Sequence, residues 1–575
     1  MKTFKGNGCA DGIGIGKVVI KCNHQVEYTL DLVDNAEEEV KLLNQEIREL
    51  INQIDSLYEK TCVQSGEEAA ELLETYQMIL SDKSFFNPIF DRIKNKRLNR
   101  KMAIKMEVEE YHDKFMSIED PYMKERFNDI RDICRELVMV CDSGHAAMPS
   151  MGITEPSIII ADNLTPVDTV KFDKKFLRGF VTEEGGTTSH SVILAKTIGI
   201  PAIVGAKGVL DAAENGCVAL VSGYSGEIII DPSQEEKKRF ESMEEQERNQ
   251  KKKFESQLNK KTITTDGICV KLMVNSGDAD TMALINPDEC CGIGLFRSEF
   301  LYMQQQYYPD EDVQFEAYRN AGIKMKDNEV IIRTLDIGGD KALDYMNLEH
   351  EDNPFLGYRA VRICLDRQDM FKTQLRAILR ASAYGKIKIM FPMIVCVEEL
   401  EKCKEILEEA KSELRLEEIP FNDSIPVGIM VETPAAVMVL EQLARMVDFF
   451  SVGTNDLVQY ITASDRGNRK LQYLYNPCHI SVLRTLMRIG EVCKEYNVEW
   501  GVCGETASSS IMIPFLLGCG VNELSVAPSA IGRVNYMLRH LSQDECRQKA
   551  EYITTLKHAE EACKQLELLS QKALS

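Results

Sequence analysis

The sequence predicts an α/β multidomain protein that ends in a TIM (β/α)8 barrel, and three observations carry that reading. After residue 261, eight short apolar, β-rich runs alternate with helical segments through the rest of the 575-residue chain. Before residue 232 a smaller set of strand-like runs is interrupted, over 34–144, by uniformly helical periodicity. Between these parts, over 233–261, the residues become almost wholly charged and helix-favouring.

In chain order, residues 8–20 alternate apolar and small side chains among several glycines, and Ser157–Ala161, Gly179–Val181, Ala202–Val204 and Cys217–Val221 read as further strands. Together, 1–33 and 145–232 form one α/β domain split by an insertion. Within the insertion, Leu43, Ile47, Leu50, Ile51, Ile54, Leu57 and Tyr58 fall on one helical face. Ser65-x-x-Glu68 is a capping box that opens a second helix, and Met123, Phe127, Ile130, Leu137, Val138 and Cys141 mark a later one. Four helices packed as hairpins are expected. The segment 233–261 keeps only Phe240, Met243, Phe254 and Leu258 as apolar positions, which suits a solvated connecting helix, either a plain linker or a lever.

The barrel spans 262–575. Its eight runs are Cys269–Val274, Gly292–Phe296, Val330–Ile332, Ile387–Phe391, Val427–Val431, Phe449–Val452, Val498–Val502 and Leu524–Val526. A doubly wound open sheet is the alternative, and it explains the closing count of runs less well.

Composition excludes several functions. With 68 Lys+Arg against 91 Asp+Glu the net charge is -23, which leaves no basic stripe for a general nucleic-acid binder and favours a basic protein partner. An anionic substrate requires a local Arg/Lys cluster set against this field. The 18 cysteines contain no CxxC pair, and no secretory signal precedes them, as expected for reduced thiols in a cytoplasmic protein. The longest apolar stretches, such as Ile511–Val521, fall short of the ~20 residues of a membrane span. Gly12–Lys17 lacks Walker spacing and Gly338–Lys341 is not a dinucleotide fingerprint, so no nucleotide site is indicated.

Two places carry chemistry. In Gly185-Gly186-Thr187-Thr188-Ser189-His190, a histidine stands between a Gly-rich turn and a helix start, where backbone N–H groups and hydroxyls suit an incoming phosphoryl group and the imidazole stays neutral. A capped helix with a surface histidine is the competing reading. In the barrel, functional side chains belong at the C-terminal strand ends, and those ends carry Asn275, Arg297, Arg333, Glu432, Asn455 with Asp456, and Cys503 with Glu505. Arg297, Arg333, Lys341, Arg359 and Arg466 form a cationic set suited to a phosphate and a carboxylate, although Lys341 and Arg359 also fit a solvated surface. Glu432 and Asp456 are hard oxygen ligands suited to Mg²⁺. Cys503 could move a proton at a substrate carbon or simply pack.

Several segments carry a family resemblance. They are Gly185–His190, Gly294–Phe300, Arg333–Lys341, Asn353–Arg359, Glu432–Ala436, Gly453–Asp456 with Asp465–Asn468, and Cys503–Glu505. In that order, over essentially the whole chain, they resemble Enzyme I of the bacterial sugar phosphotransferase system, the phosphoenolpyruvate-protein phosphotransferases. The resemblance implies a relay in which phosphoenolpyruvate and Mg²⁺ bind at the barrel mouth, His190 takes the phosphoryl group, and Cys503 protonates the pyruvate enolate. His190 then hands the group to a histidine of the small carrier HPr, as the first step of sugar uptake.

On the same resemblance, Arg297, Arg333 and Lys341 hold the phosphate, Arg466 and Asn455 the carboxylate end, and Arg359 binds substrate. It also implies that the phosphohistidine domain swivels, that 34–144 docks HPr with Glu67, Glu68 and Glu71 as candidate contacts, and that the barrel forms a homodimer. Three positions depart from the family pattern: Lys196 for Arg, Thr187 for a basic residue, and Asp11 for a Ser-Pro pair. They bear on partner choice and efficiency. Related dikinases and synthases need a nucleotide-grasping domain for which the chain has no room. A catalytically silent paralogue that binds HPr-like proteins as a regulator is the alternative from another class.

Overall fold

The computed structural model describes residues 1–21, 28–30, 32–65, 68–116, 121–143, 153–164, 168, 172, 175–184, 192, 195, 199–277, 279–339, 343–471 and 473–574. They divide into two compact units, Met1–Asn249 and Gln250–Ser575.

The first unit contains an eight-stranded sheet: β1 (Lys2–Lys5), β2 (Asn7–Ala10), β3 (Ile13–Lys21), β4 (Ser157–Ala161), β5 (Leu177–Thr182), β6 (Ala202–Val204), β7 (Val218–Ser222) and β8 (Glu227–Ile230). The spatial order is β1-β8-β7-β3-β4-β5-β6-β2, parallel from β3 to β6 and antiparallel toward both edges. Strand alternation sends Ile159 and Ala161 into one buried cluster and Ile158 and Ile160 into another. The two edge strands, β1 and β2, are consecutive in the chain and joined by Gly6 alone, so the sheet rolls until its edges meet. Any side chain at Gly6 would come within 2.8 Å of the Val204 carbonyl. Strands β1 and β8 lie outside the runs read from sequence. β1 is a mostly exposed Lys-Thr-Phe-Lys edge with no apolar run to mark it.

Between β3 and β4 the described chain forms five helices, not the four expected: α1 (Ala36–Ser65), α2 (Glu68–Ser81), α3 (Lys83–Lys96), α4 (Arg100–Met116) and α5 (Pro121–Ser143). The extra break comes from local polar chemistry. The Asp82 carboxylate accepts the Ser84 N–H at 2.7 Å and caps α3. Arg97, left-handed at φ 52°, then ends it. Leu43, Leu50, Ile54, Tyr76, Ile89 and Ile133 form the common core. Ser65 closes α1; residues 66 and 67 lie outside the described residues, as do the side chains of Glu68 and Glu71.

The charged segment is a 22-residue helix, α6 (Gln234–Glu255), and Phe240 is its buried residue, packed with Ile13, Leu220 and Ile229. The boundary between the two units falls inside this helix. Among the described residues no helix is long and apolar enough to cross a membrane.

The second unit is a closed parallel barrel of eight strands: β9 (Lys271–Ser276), β10 (Gly292–Arg297), β11 (Glu329–Arg333), β12 (Lys386–Phe391), β13 (Val427–Val431), β14 (Phe449–Val452), β15 (Glu499–Val502) and β16 (Glu523–Val526). Every run read from sequence is a strand. The pairing of β16 with β9, Leu524 opposite Leu272, closes the ring and removes the open-sheet alternative. Outward residues such as Val330, Ile332, Ile389 and Ile429 meet the surrounding helices, among them α7 (Glu311–Met325) and α8 (Gln368–Ala381). Inward residues Leu295, Ile331, Met390, Met430, Phe449 and Cys503 fill the interior beneath the C-terminal mouth.

At the opposite end, Lys271 pairs with Glu499 (2.9 Å) and Glu329 (3.4 Å), and Lys388 pairs with Glu329 (3.0 Å). Glu523 is buried beside them, and desolvation pushes its carboxyl up to about 7, with the two lysines opposing. A raised carboxyl contributes stability that is complete below the ordinary carboxylate range and is lost as pH rises through the folded value. Wild type should therefore lose stability relative to Glu523→Gln between pH 5 and 8, by at most about 3 kcal/mol. Urea titrations at the two pH values measure this; parallel stabilities across the range would refute it.

Candidate active site

The strand ends deliver their side chains to one cavity of about 550 Å³ at the C-terminal face of the barrel. Arg297 closes β10 and Arg333 closes β11; Glu432 follows β13, Asp456 lies in the first turn of α9 (Thr454–Thr462) after β14, and Cys503 follows β15. Gly504 lets the next turn pass against α9, since a Cβ there would clash with the Thr454 hydroxyl.

The arginines and carboxylates are interleaved rather than sorted into the separate cationic and metal-binding halves that the sequence suggested. Arg333 is buried and donates to Glu299 Oε1 at 2.6 Å, and it pairs with Asp336 Oδ2 at 2.8 Å. Asp336 Oδ1 accepts from Arg359 at 2.8 Å, and the same guanidinium nitrogen lies 3.1 Å from Asp456. Arg466 reaches Asp456 at 3.8 Å. The Phe355 ring stacks against both Arg359 (6.0 Å) and Arg466 (5.5 Å), and Arg359 also donates to the Tyr460 hydroxyl at 3.2 Å. Arg359 is thus a buried member of the mouth, which rules out its surface reading. Burial opposes the charge on Arg333, but Glu299, Asp336 and Glu432 overcome it and hold the guanidinium firmly charged.

Glu432 is buried, and its Oε1 accepts the Met393 N–H at 2.7 Å, aimed there by a Met393 backbone at φ 56°. Desolvation, then the charges of Asp456 and Asp336, push its carboxyl up to about 8 against the pull of Arg333 and Arg359. Together with Asp456 in the same cavity it fits a hard divalent cation that takes one or two carboxylates and fills its shell with water and substrate oxygens. Among the described residues no cluster of three or more His, Cys, Asp or Glu forms a closed protein cage.

Cys503 sits in the apolar interior layer, its thiol directed at the Val452 carbonyl (3.7 Å) and its own carbonyl held by Asn275 Nδ2 at 3.2 Å. Burial pushes the thiol up to about 11, so it carries its proton at neutral pH. Asn455 accepts the Glu505 N–H at 3.1 Å, and the half-buried Arg297 lies over the Phe300 ring at 5.5 Å.

Of the residues singled out from sequence, Arg297, Arg333, Arg359, Glu432, Asn455, Asp456, Arg466 and Cys503 all line this cavity. His190, Thr187, Lys196 and Lys341 lie outside the described residues. Asp11 is exposed between β2 and β3. Sequence reading missed Glu299 and Asp336; the spacings Arg297-x-Glu299 and Arg333-x-x-Asp336 were the available signal.

A closed parallel barrel with arginines and carboxylates converging at its C-terminal face defines the class of barrel enzymes with a charged mouth suited to a small polar substrate. Family models describe the chain as a PEP-utilising enzyme throughout: the N-terminal domain at residues 5–126, the mobile domain at 153–226 and the PEP-binding domain at 251–543. It is 39% identical to the phosphoenolpyruvate-protein phosphotransferase of Priestia megaterium, over 97% of this chain and 98% of that one. It is 38% identical to the phosphoenolpyruvate-protein phosphotransferase of Bacillus subtilis (strain 168), over 98% of each. A solution structure of an Enzyme I protein is 28% identical over 43% of this chain and 99% of that chain, with a TM-score of 0.39. The chain belongs to the phosphoenolpyruvate-protein phosphotransferase family.

Proposed function

We propose that the barrel mouth binds phosphoenolpyruvate with Mg²⁺ and that His190 carries the phosphoryl group to HPr. The observation that carries this reading is the convergence of Arg333, Arg359, Glu432, Asp456 and Cys503 on one cavity. Arg297 and Arg333, with Lys341, grip the phosphate, while Arg466 and Asn455 hold the carboxylate end and Arg359 braces both through Asp336 and Asp456. Mg²⁺ held by Glu432 and Asp456 would neutralise charge on the substrate oxygens. A ring nitrogen of His190 attacks phosphorus as the bridging P–O bond breaks, and the enolate left behind takes the Cys503 proton at carbon to give pyruvate.

In the same reading 1–33 and 145–232 form the swivelling phosphohistidine domain and 34–144 the HPr-docking helices. Segment 233–261 is the linker, and 262–575 forms the phosphoenolpyruvate-binding, dimerising barrel. The protein then acts in the cytoplasm as a homodimer.

The direct test is incubation with labelled phosphoenolpyruvate and Mg²⁺. Acid-labile, alkali-stable label should appear on wild type and be absent from His190→Ala. A folded wild type that takes no label would refute the enzyme reading and favour the silent regulator. Mg²⁺ alone should raise the Tm of wild type and leave Glu432→Gln and Asp456→Asn unmoved; equal shifts in all three would remove these carboxylates from the metal site.

A further inference from the structure

Behind the mouth, between the barrel wall and helices α7 and α8, lies a chain of enclosed polar groups outside the lining of the mouth cavity. Gln374, on α8, is wholly buried. Its Oε1 accepts the backbone N–H of Leu335 at 2.9 Å, and its Nε2 donates to Ser298 Oγ and Tyr318 Oη, each at 3.1 Å. Tyr318 and Tyr302 both donate to Gln314 Oε1, at 3.1 and 3.3 Å, and Gln314 Nε2 donates to the Pro309 carbonyl at 3.0 Å. Ser298, Tyr302, Gln314 and Tyr318 are buried.

The sequence positions of the two groups bonded to Gln374 give this network its meaning. Ser298 lies between Arg297 and Glu299, while Leu335 lies between Arg333 and Asp336. One amide therefore ties together the C-terminal ends of β10 and β11, the two loops that present the inner arginines and the carboxylates that orient Arg333. A packed hydrophobic residue would serve the helix–barrel contact with fewer buried polar atoms to satisfy. The amide adds a fixed spacing between two loops that must grip one anion.

We infer that Gln374 is a positioning residue for phosphoryl transfer: through Leu335 and Ser298 it sets the separation of Arg297 and Arg333 across the substrate phosphate. The inference rests on the reading of the mouth as the phosphoenolpyruvate site. Because alignment losses of about an ångström cost up to ~10²-fold in rate, Gln374→Met should lower kcat for His190 phosphorylation by about 10- to 100-fold. Transfer of label from slowly preloaded variant to purified HPr uses no barrel group and should keep its wild-type rate. Gln374→Glu, neutral in this enclosed site, keeps the acceptor for Leu335 and donates its one O–H to Ser298 while Tyr318 stays on Gln314, so it should recover at least tenfold over Gln374→Met.

A merely structural residue would lower Tm in Gln374→Met and leave kcat of the folded fraction and the order of the two variants unchanged. That result overturns the inference while the enzyme reading stands, because wild type is still labelled. A wild type that takes no label overturns both. Should Gln374→Met fail to fold, Tyr318→Phe, which removes one of the three bonds of Gln374 together with the Tyr318–Gln314 bond at nearly constant shape, carries the test. It should slow labelling about threefold with HPr transfer intact, and an unchanged labelling rate overturns the inference.

Discussion

Cys503→Ala is expected to form pyruvate about 10²- to 10⁴-fold more slowly than wild type, the range that a positioned proton donor contributes. The thiol lies at the floor of the cavity within an apolar layer, and burial pushes it up to about 11. It therefore stays S–H throughout the neutral range, the form that the proposed proton transfer to the enolate requires. Two consequences can be measured together. Pyruvate release falls in the variant although the folded barrel persists, since alanine in an interior otherwise built from Leu295, Ile331 and Met430 introduces no polar group. The wild-type pH–rate profile should show no limb from thiol ionisation below pH 9, because a raised thiol loses its proton only as pH climbs through its shifted value. A Cys503→Ala enzyme within threefold of wild type would remove the thiol from the proton-transfer step.

Arg333→Met is expected to affect both halves of the protein's economy of charge. The substitution leaves Glu299 and Asp336, both buried, without the guanidinium between them. Removing one member of a buried ion pair costs about 3–5 kcal/mol, so unfolding by urea should show a loss of that size. Phosphorylation by phosphoenolpyruvate should fall at least ~10³-fold, since a charge-stabilising donor is removed from the transferring group. The double variant Arg333→Met/Glu299→Gln separates these effects. It should regain much of the stability, since Glu299 is then neutral and Asp336 keeps its pairing with Arg359, and none of the activity. Recovery of activity together with stability would reduce Arg333 to a structural role.

How far the sequence could be read depended on whether local composition reported burial. Strands β9 to β16 are covered by helices outside and packed side chains inside, so they stand out as short apolar runs, and each was legible. β1 has one partly buried side chain among exposed ones, and nothing local distinguishes it from a loop. The break between α2 and α3 turns on a single capping carboxylate, Asp82, within otherwise continuous helical periodicity. In the site, arginines and cysteine at strand ends were legible because functional groups collect there in a barrel. Glu299, Asp336 and Gln374 were not, because an acidic residue just past a strand and a glutamine on an amphipathic helix both look solvated. Their role exists only in relation to an arginine and to strand ends brought close by the fold. The mixing of cations and anions in the mouth was invisible for the same reason.

The rolled sheet of the first unit has a consequence for how the polypeptide is made. Its two edge strands, β1 and β2, leave the ribosome about 200 residues ahead of β6 and β8, the partners they pair with, an interval of roughly 10–40 s at ordinary synthesis rates. During that time two unpaired strand edges wait in the cell, while helices α1 to α5 already have the complete apolar complement of their own core. Vectorial synthesis thus favours a helical bundle first and a sheet that zips shut only when β8 emerges. Ribosome-stalled chains ending before Ala202 should present Lys2–Ala10 to proteases, and chains extending well past Ile230 should protect it.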